Sequence, residues 1–221
     1  MDSSALFAIR LSLQVALIAT ILVVPAGIFF AWVLARGRFH GRDILDVALT
    51  MPLVLPPTVT GYYLVVLFGR NGAIGSRIYA WTGWSIMFTW EAAVLASFVV
   101  ALPLIVKTCR AAFESVAPQL IDVSRTLGHG EAATFLKVVL PLSRKGVIAG
   151  TSLAFARALG EFGATLMLAG NIPGRTSTAP LAIYNYASSG DWPRADGLVL
   201  VFTVIGAAFL YVASKLNAHI V

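Results

Sequence analysis

Between Arg10 and Arg36 the chain runs through residues 11–35 without one charged side chain. That exceeds the roughly 20 apolar residues a helix needs to cross a hydrocarbon core. The pattern recurs. Residues 47–69 carry no charge, residues 92–106 carry none, residues 146–174 carry only Arg157 and Glu161, and residues 197–214 are clean up to Lys215. The third interval becomes long enough if Phe88 and Trp90 sit at one interface while Lys107 and Arg110 snorkel at the other. Lipid offers the backbone no hydrogen-bond partners, so runs of this kind must close their bonds as helices. The sequence therefore predicts an all-α polytopic transmembrane bundle within one domain, 1–221. Its spans are about 6–35, 44–69, 88–110, 146–170 and 197–215, with room for a short or re-entrant sixth piece at 72–84 or 178–187. The first run is too long for a secretory signal, lacks a small-residue cleavage site and is followed by its basic cluster, so it reads as an uncleaved helix.

Composition closes off the alternatives. Only 12% of the residues are charged and 58% are hydrophobic before the 19 glycines are counted, whereas soluble domains carry about 25% charged residues. The net charge of +6 would suit a nucleic-acid partner only if it were gathered on one polar face, and it is not. It is sorted by loop instead. Arg36, Arg38 and Arg42 lie between spans one and two; Lys107, Arg110, Arg125, Lys137, Arg144 and Lys145 lie between spans three and four; Lys215 follows span five. Arg10, Arg70, Arg77, Arg175 and Arg194 fall on the other side. By the positive-inside rule the N-terminus is outside and the C-terminus inside. Tyr79, Trp81, Trp84, Trp90, Tyr184, Tyr186 and Trp192 then cluster near the outer ends as interface anchors. The single cysteine, Cys109, excludes an internal disulfide.

The longest internal loop, 114–145, carries helix punctuation. Pro118 suits a first helical position, Leu120, Val123 and Leu127 recur at helical spacing, and Gly128 can end the helix in the left-handed conformation. A helix is expected over 118–127, and a second over 131–140 leading to Pro141. A ten-residue helix is marginal in water, so its stripe must be covered by the bundle, by the lipid surface or by a partner.

Two features stand out inside the spans. In span two, Pro52, Pro56, Pro57 and Gly61 break the helical ladder near Thr58 and Thr60, which fits either a helix lining a pathway or a structural kink with the threonines taking up freed carbonyls. In span four, Arg157 and Glu161 are four apart and share one helix face, where they can neutralise each other. A structural ion pair and a gating role both fit; substrate coordination by Arg157 fits less well, because Glu161 would compete for it.

The chemical inventory is thin. His40, His129 and His219 fall outside the spans, no metal-ligand cluster occurs, and no nucleophile has a base in reach. No phosphate loop is present, so ATP chemistry belongs elsewhere. An intramembrane enzyme is thereby the weak rival. A passive channel is the other, and it has no need of a coupling segment.

Spacing adds a resemblance. Asp122-Val123-Ser124, three residues, Gly128, nine residues, Val138, one residue and Leu140-Pro141 resemble the Glu-Ala-Ala-x3-Gly-x9-Ile-x-Leu-Pro signature of ABC-importer permeases. The literal Glu131-Ala132-Ala133 is a decoy, since that register puts the glycine at Lys137 and loses the Leu-Pro. The blocks Pro52-Leu53-Val54-Leu55-Pro56-Pro57, Phe155 through Thr165 and Gly170-Asn171-Ile172-Pro173-Gly174-Arg175-Thr176 resemble permease subunits of molybdate ABC transporters. Sulfate permeases are similar but carry Gly-Glu-Tyr-Gly where this chain has Gly160-Glu161-Phe162-Gly163. The resemblance implies that the 118–127 helix couples to an ATPase subunit through Asp122, Val123, Ser124, Gly128, Leu140 and Pro141. It also implies that Asn171 lies near an outer gate, with Pro56, Pro57, Thr58, Arg157 and Glu161 as pathway or gate candidates. The implied partners are a second copy of the chain, two cytoplasmic ABC ATPases holding ATP and Mg, a substrate-binding protein and the lipid bilayer of a bacterial inner membrane. The chain itself needs no cofactor. The implied substrate is a tetrahedral oxyanion, molybdate or tungstate first and sulfate or thiosulfate second, carried by alternating access.

Overall fold

The computed structural model describes residues 2–37 and 39–218, with side chains as far as Lys215. Arg38 and His219, which entered the charge placement and the histidine inventory, lie outside the described residues. Every regular element among the described residues is helical.

Helix α1 (Ser3–Arg36) starts where the Asp2 carboxylate accepts the Ala5 N–H at 2.8 Å. At about 1.5 Å per residue its 34 residues cover about 51 Å, well beyond a hydrocarbon core. Helix α5 (Trp90–Glu114), capped by the Thr89 hydroxyl, is the buried centre of the bundle. The two run parallel, and small residues set their spacing. Ala16, Ala19, Gly27 and Ala31 of α1 face Ala92, Ala96, Ala101 and Ile105 of α5 in one continuous core. A β-carbon on Gly27 would collide with Ile105. In lipid, where apolar surface gains nothing by meeting apolar surface, such close backbone approach is what holds helices together.

Helix α9 (Arg144–Leu159) returns antiparallel to α5 and packs on both α5 and α1. Gly146 lies on Ala112, Gly150 on Thr108 and Cys109, and the Ser97 hydroxyl donates to the Ala158 carbonyl at 3.4 Å. Helix α12 (Trp192–Ala218) packs chiefly on α11 (Ala179–Ser188), with Leu198 joining Ala182 and the Ala5, Ala8 and Ile9 end of α1, and stacks Phe209 on Phe155 of α9. Most of its surface stays uncovered.

Among the described residues three helices, α1, α5 and α12, are long and apolar enough to cross a bilayer on their own. Two further pairs reach that length and composition only when joined across a bend. Helices α2 (Arg42–Val54) and α3 (Pro57–Phe68) meet at 119°, and the segment Glu131–Leu142 meets α9 at 77°. The second span thus breaks where its prolines stand. The stretch 146–170, expected as one helix, is divided: α9 ends at Leu159 and α10 (Gly163–Ala169) begins after a three-residue break. The short pieces also form as helices, α4 (Gly75–Thr82) and α11 (Ala179–Ser188).

Candidate coupling surface and intramembrane break

Helix α6 (Pro118–Thr126) begins on Pro118, whose missing N–H costs nothing in a first turn. It ends as its glycine requires. Gly128 sits at φ +85°, its N–H donates to Arg125 O at 2.9 Å, and the His129 N–H donates to Ser124 O at 3.2 Å. That pair of bonds is a Schellman cap, which satisfies the last carbonyls of the helix.

Two residues fasten α6 to the bundle. Ile121 is 3% exposed and joins the main core. The buried Ser124 hydroxyl lies 3.0 Å from Thr134 Oγ1 and 3.3 Å from His129 Nδ1, tying α6 to α7 (Glu131–Thr134). The other face is open: Leu120, Val123 and Leu127 are 47%, 56% and 73% exposed. The apolar stripe legible in the sequence is therefore not the face that packs on the bundle. Asp122 is exposed beside it, 3.5 Å from Arg125, while Arg125 reaches Glu131 at 2.7 Å.

The support beneath is packed into the core. A π-helical turn (Phe135–Val139) follows α7 and leads into α8 (Leu140–Leu142). Its extra residue directs Phe135 into the core, where the ring packs 5.1 Å from Trp32 of α1 and 5.4 Å, edge-on, from Phe113 of α5. Leu140 packs against the same core, Pro141 is exposed, and the Ser143 hydroxyl donates to Ala112 O at 3.1 Å. Nearby, Asp46 of α2 receives both Lys107 and Arg110 of α5 at 2.7 Å, and Arg110 also holds Glu114 at 2.8 Å. Phe135 carries no local motif, so sequence reasoning passed over the residue that anchors the segment.

The second site joins the two helix breaks. Gly163, first residue of α10, lies so close to α3 that a β-carbon there would stand 2.8 Å from Pro57 Cβ and 3.2 Å from Thr58 N. One turn on, a β-carbon on Gly61 would stand 2.8 Å from Ala164 Cα. Pro57, Thr58 and the α9–α10 break are thus brought together, with Pro56 capping α3. Glu161, 2% exposed, holds the break. Its Oε1 accepts the Ala164 N–H at 2.8 Å, and Oε2 lies 2.7 Å from Arg157 Nη1. Among the described residues Oε2 receives no aligned hydrogen bond, so its contact with Arg157 is ionic. Arg157 itself is partly open, its side chain 28% exposed.

Thr60 does not take up a freed carbonyl, as its position beside the prolines suggested it could. Its buried hydroxyl has no hydrogen-bond partner among the described residues. Asn171 stands apart from this cluster, beyond the far end of α10. Its Nδ2 donates to Leu181 O at 3.4 Å and its Oδ1 is buried without a partner among the described residues. Beside it, Phe88 adopts φ +60°, donates its N–H to Leu168 O at 3.2 Å and sets its ring against Gly170. Nothing in the local sequence announces a left-handed phenylalanine.

A helical bundle with polar breaks among its helices and an anchored helix displaying apolar side chains at one end has the build of an energy-coupled membrane transport subunit. The chain belongs to the family of binding-protein-dependent transport system inner membrane components, whose model matches residues 23–221. It is 50% identical over 177 residues to the molybdenum transport system permease protein ModB of Escherichia coli (strain K12), covering 80% of this chain and 77% of that relative. Its identity to the sulfate transport system permease protein CysT of Salmonella typhimurium is 33% over 212 residues, covering 96% of this chain and 76% of the relative. The fold is similar to the crystal structure of a bacterial ABC transporter involved in the import of the acidic polysaccharide alginate, with a TM-score of 0.82 at 12% identity, over 99% of this chain and 80% of that one. The chain is a multi-pass inner-membrane permease subunit of an ABC importer. It is not an enzyme, because ATP hydrolysis is done by separate ATPase subunits.

Proposed function

We propose that this chain forms the transmembrane pathway of a molybdate importer as a homodimer, with its N-terminus outside, its C-terminus inside and a single domain spanning 1–221. Each copy docks one cytoplasmic ATPase through α6, and ATP-driven closure of the ATPases rocks the two halves between outward and inward access. The chain itself carries no cofactor; ATP and Mg belong to the ATPases, and a substrate-binding protein delivers the ion. The observation that carries this reading is the exposed Leu120, Val123 and Leu127 stripe on a helix held from behind by Ile121 and Ser124. An apolar face kept in the open at that cost fits a groove on a soluble partner, with Asp122 as the charged contact at its edge. Gly128, Leu140 and Pro141 set the angle at which α6 is presented.

Arg157, Glu161, Pro56, Pro57 and Thr58 belong on this reading to the moving break, and Asn171 to an outer constriction. Glu161 is engaged twice over, which suits a latch better than a substrate ligand. Higher identity to a molybdenum permease than to a sulfate permease favours molybdate or tungstate over sulfate. The test is reconstitution in liposomes with the co-expressed ATPase, comparing ATPase stimulation by binding protein loaded with molybdate, tungstate or sulfate. Stimulation and uptake with molybdate, and little with sulfate, are expected. Equal or stronger sulfate uptake would reassign the substrate, and uptake without ATP would make the chain a channel.

A further inference from the structure

At the end of the bundle that carries Trp90, opposite α6, a cavity of about 380 Å³ is lined by Arg10 and Gln14 of α1, Trp90 of α5 and Arg175 of the loop after α10. Both arginines are exposed, and among the described residues no carboxylate lies within ion-pair distance of either. Trp90 also lines a second cavity of about 540 Å³, an apolar groove between α1 and α5 walled by Ile18, Leu22, Ala26, Val94 and Phe98. The two cavities follow one line. Positions 10, 14, 18, 22 and 26 are spaced four apart and form one i, i+4 ridge that winds around α1, with Trp90 of α5 common to both cavities. From Gln14 to Ala26 that ridge descends about 18 Å, close to the roughly 15 Å depth of one leaflet's hydrocarbon.

Two uncompensated guanidinium groups at the level of a tryptophan, above an apolar groove one leaflet deep, match a molecule with a phosphate at one end and a hydrocarbon chain below it. Glu91 also lines the groove, one residue past Trp90. A carboxylate there repels a second negative charge and fits a primary ammonium. We propose that this face retains one phospholipid of the ethanolamine class, its phosphate between Arg10 and Arg175, its amine toward Glu91 and one acyl chain in the α1–α5 groove. Because Arg175 belongs to the loop that follows Asn171, the bound lipid ties that loop to α1. The inference needs only the membrane setting and is independent of the transported ion.

The test uses the permease assembled with its ATPase, extracted in mild detergent, stripped of lipid and titrated with phosphatidylethanolamine in mixed micelles, with lipid occupancy read by native mass spectrometry. One tightly retained molecule per permease chain is expected, at least fivefold tighter than phosphatidylglycerol. Two variants address the two halves of the site: R10A/R175A removes the phosphate contacts, and L22W fills the groove with both arginines in place. Each is expected to weaken retention at least fivefold, and R10K/R175K to recover most of it. All of these side chains are exposed, so the variants should assemble normally on size exclusion. Unchanged retention in either disruptive variant would overturn the proposal, as would tighter binding of phosphatidylglycerol. Competition by millimolar inorganic phosphate or molybdate would also overturn it, by making the arginines a site for a free oxyanion.

Discussion

Arg157 Nη1 stands 2.7 Å from Glu161 Oε2 across the last turn of α9, while the other oxygen of the same carboxylate holds the first turn of α10. One buried side chain therefore neutralises a charge and caps a helix. Removing either partner should have unequal effects. Arg157→Ala leaves a carboxylate that is 2% exposed without its counter-charge, a loss on the order of 3–5 kcal/mol. Glu161→Gln keeps an acceptor for the Ala164 N–H and leaves Arg157, the more open partner, to find water. The melting temperature in detergent is expected to fall from wild type to Glu161→Gln and further to Arg157→Ala. The charge-swapped pair Arg157→Glu/Glu161→Arg should recover part of the loss but not the cap. A Glu161→Gln variant less stable than Arg157→Ala would sink this assignment.

Gly163→Ala places a methyl group 2.8 Å from Pro57 Cβ, where a ring and a backbone must give way. Overpacking of this kind costs about 1–3 kcal/mol. Gly61→Ala meets the backbone of Ala164 and should cost a similar amount. Both variants should assemble with reduced stability and lose more transport than stability, because the contact joins two breaks. Wild-type uptake in both would separate the α3–α10 contact from the transport cycle.

At Gly128 the space is open, with no atom of any described residue beyond its two chain neighbours within 4 Å of the place a β-carbon would take, but φ is +85°. Substitution there acts through the backbone alone. Gly128→Ala should cost about 1–2 kcal/mol locally, Gly128→Asn less and Gly128→Val more. Since the strain falls on the cap of α6, the readout is ATPase coupling: ATP hydrolysed per ion imported should rise in the same order. Tight coupling retained in Gly128→Val would argue against a coupling role for this helix.

The two faces of α6 make a paired prediction. Val123→Glu and Leu127→Glu change exposed side chains and should alter stability by no more than about 0.5 kcal/mol, yet weaken co-purification with the ATPase. Ile121→Ala empties a buried site and should lower stability by about 2–4 kcal/mol. Measuring melting temperature and ATPase recovery on the same preparations checks both halves. Full recovery with Leu127→Glu would remove the stripe from the interface.

Several of these features were open to sequence reasoning because each rests on a local cause. Gly128 ends α6 as a glycine free to adopt positive φ should, Pro56 and Pro57 break the second span as residues without amide donors must, and Arg157 meets Glu161 because positions four apart share a helix face. Other features have distant causes. The division of 146–170 depends on a glutamate capping α10 while α3 presses on Gly163. Phe135 matters only because Trp32 and Phe113, both far off along the chain, arrive on either side of it.

The amino-acid sequence alone determined that this chain lives in a bilayer, which segments are helical and where proline and Gly128 interrupt them, because lipid leaves the backbone no other partner and because proline and glycine act on their own residue. Only the tertiary structure decided which side of each helix is used. Periodicity left Leu120, Val123 and Leu127 to be covered by the bundle, the lipid surface or a partner, and the fold leaves them open because α6 is held to the bundle through Ile121 and Ser124. Periodicity records that a face is apolar. What covers that face is settled by elements many residues away, whose positions no local pattern encodes.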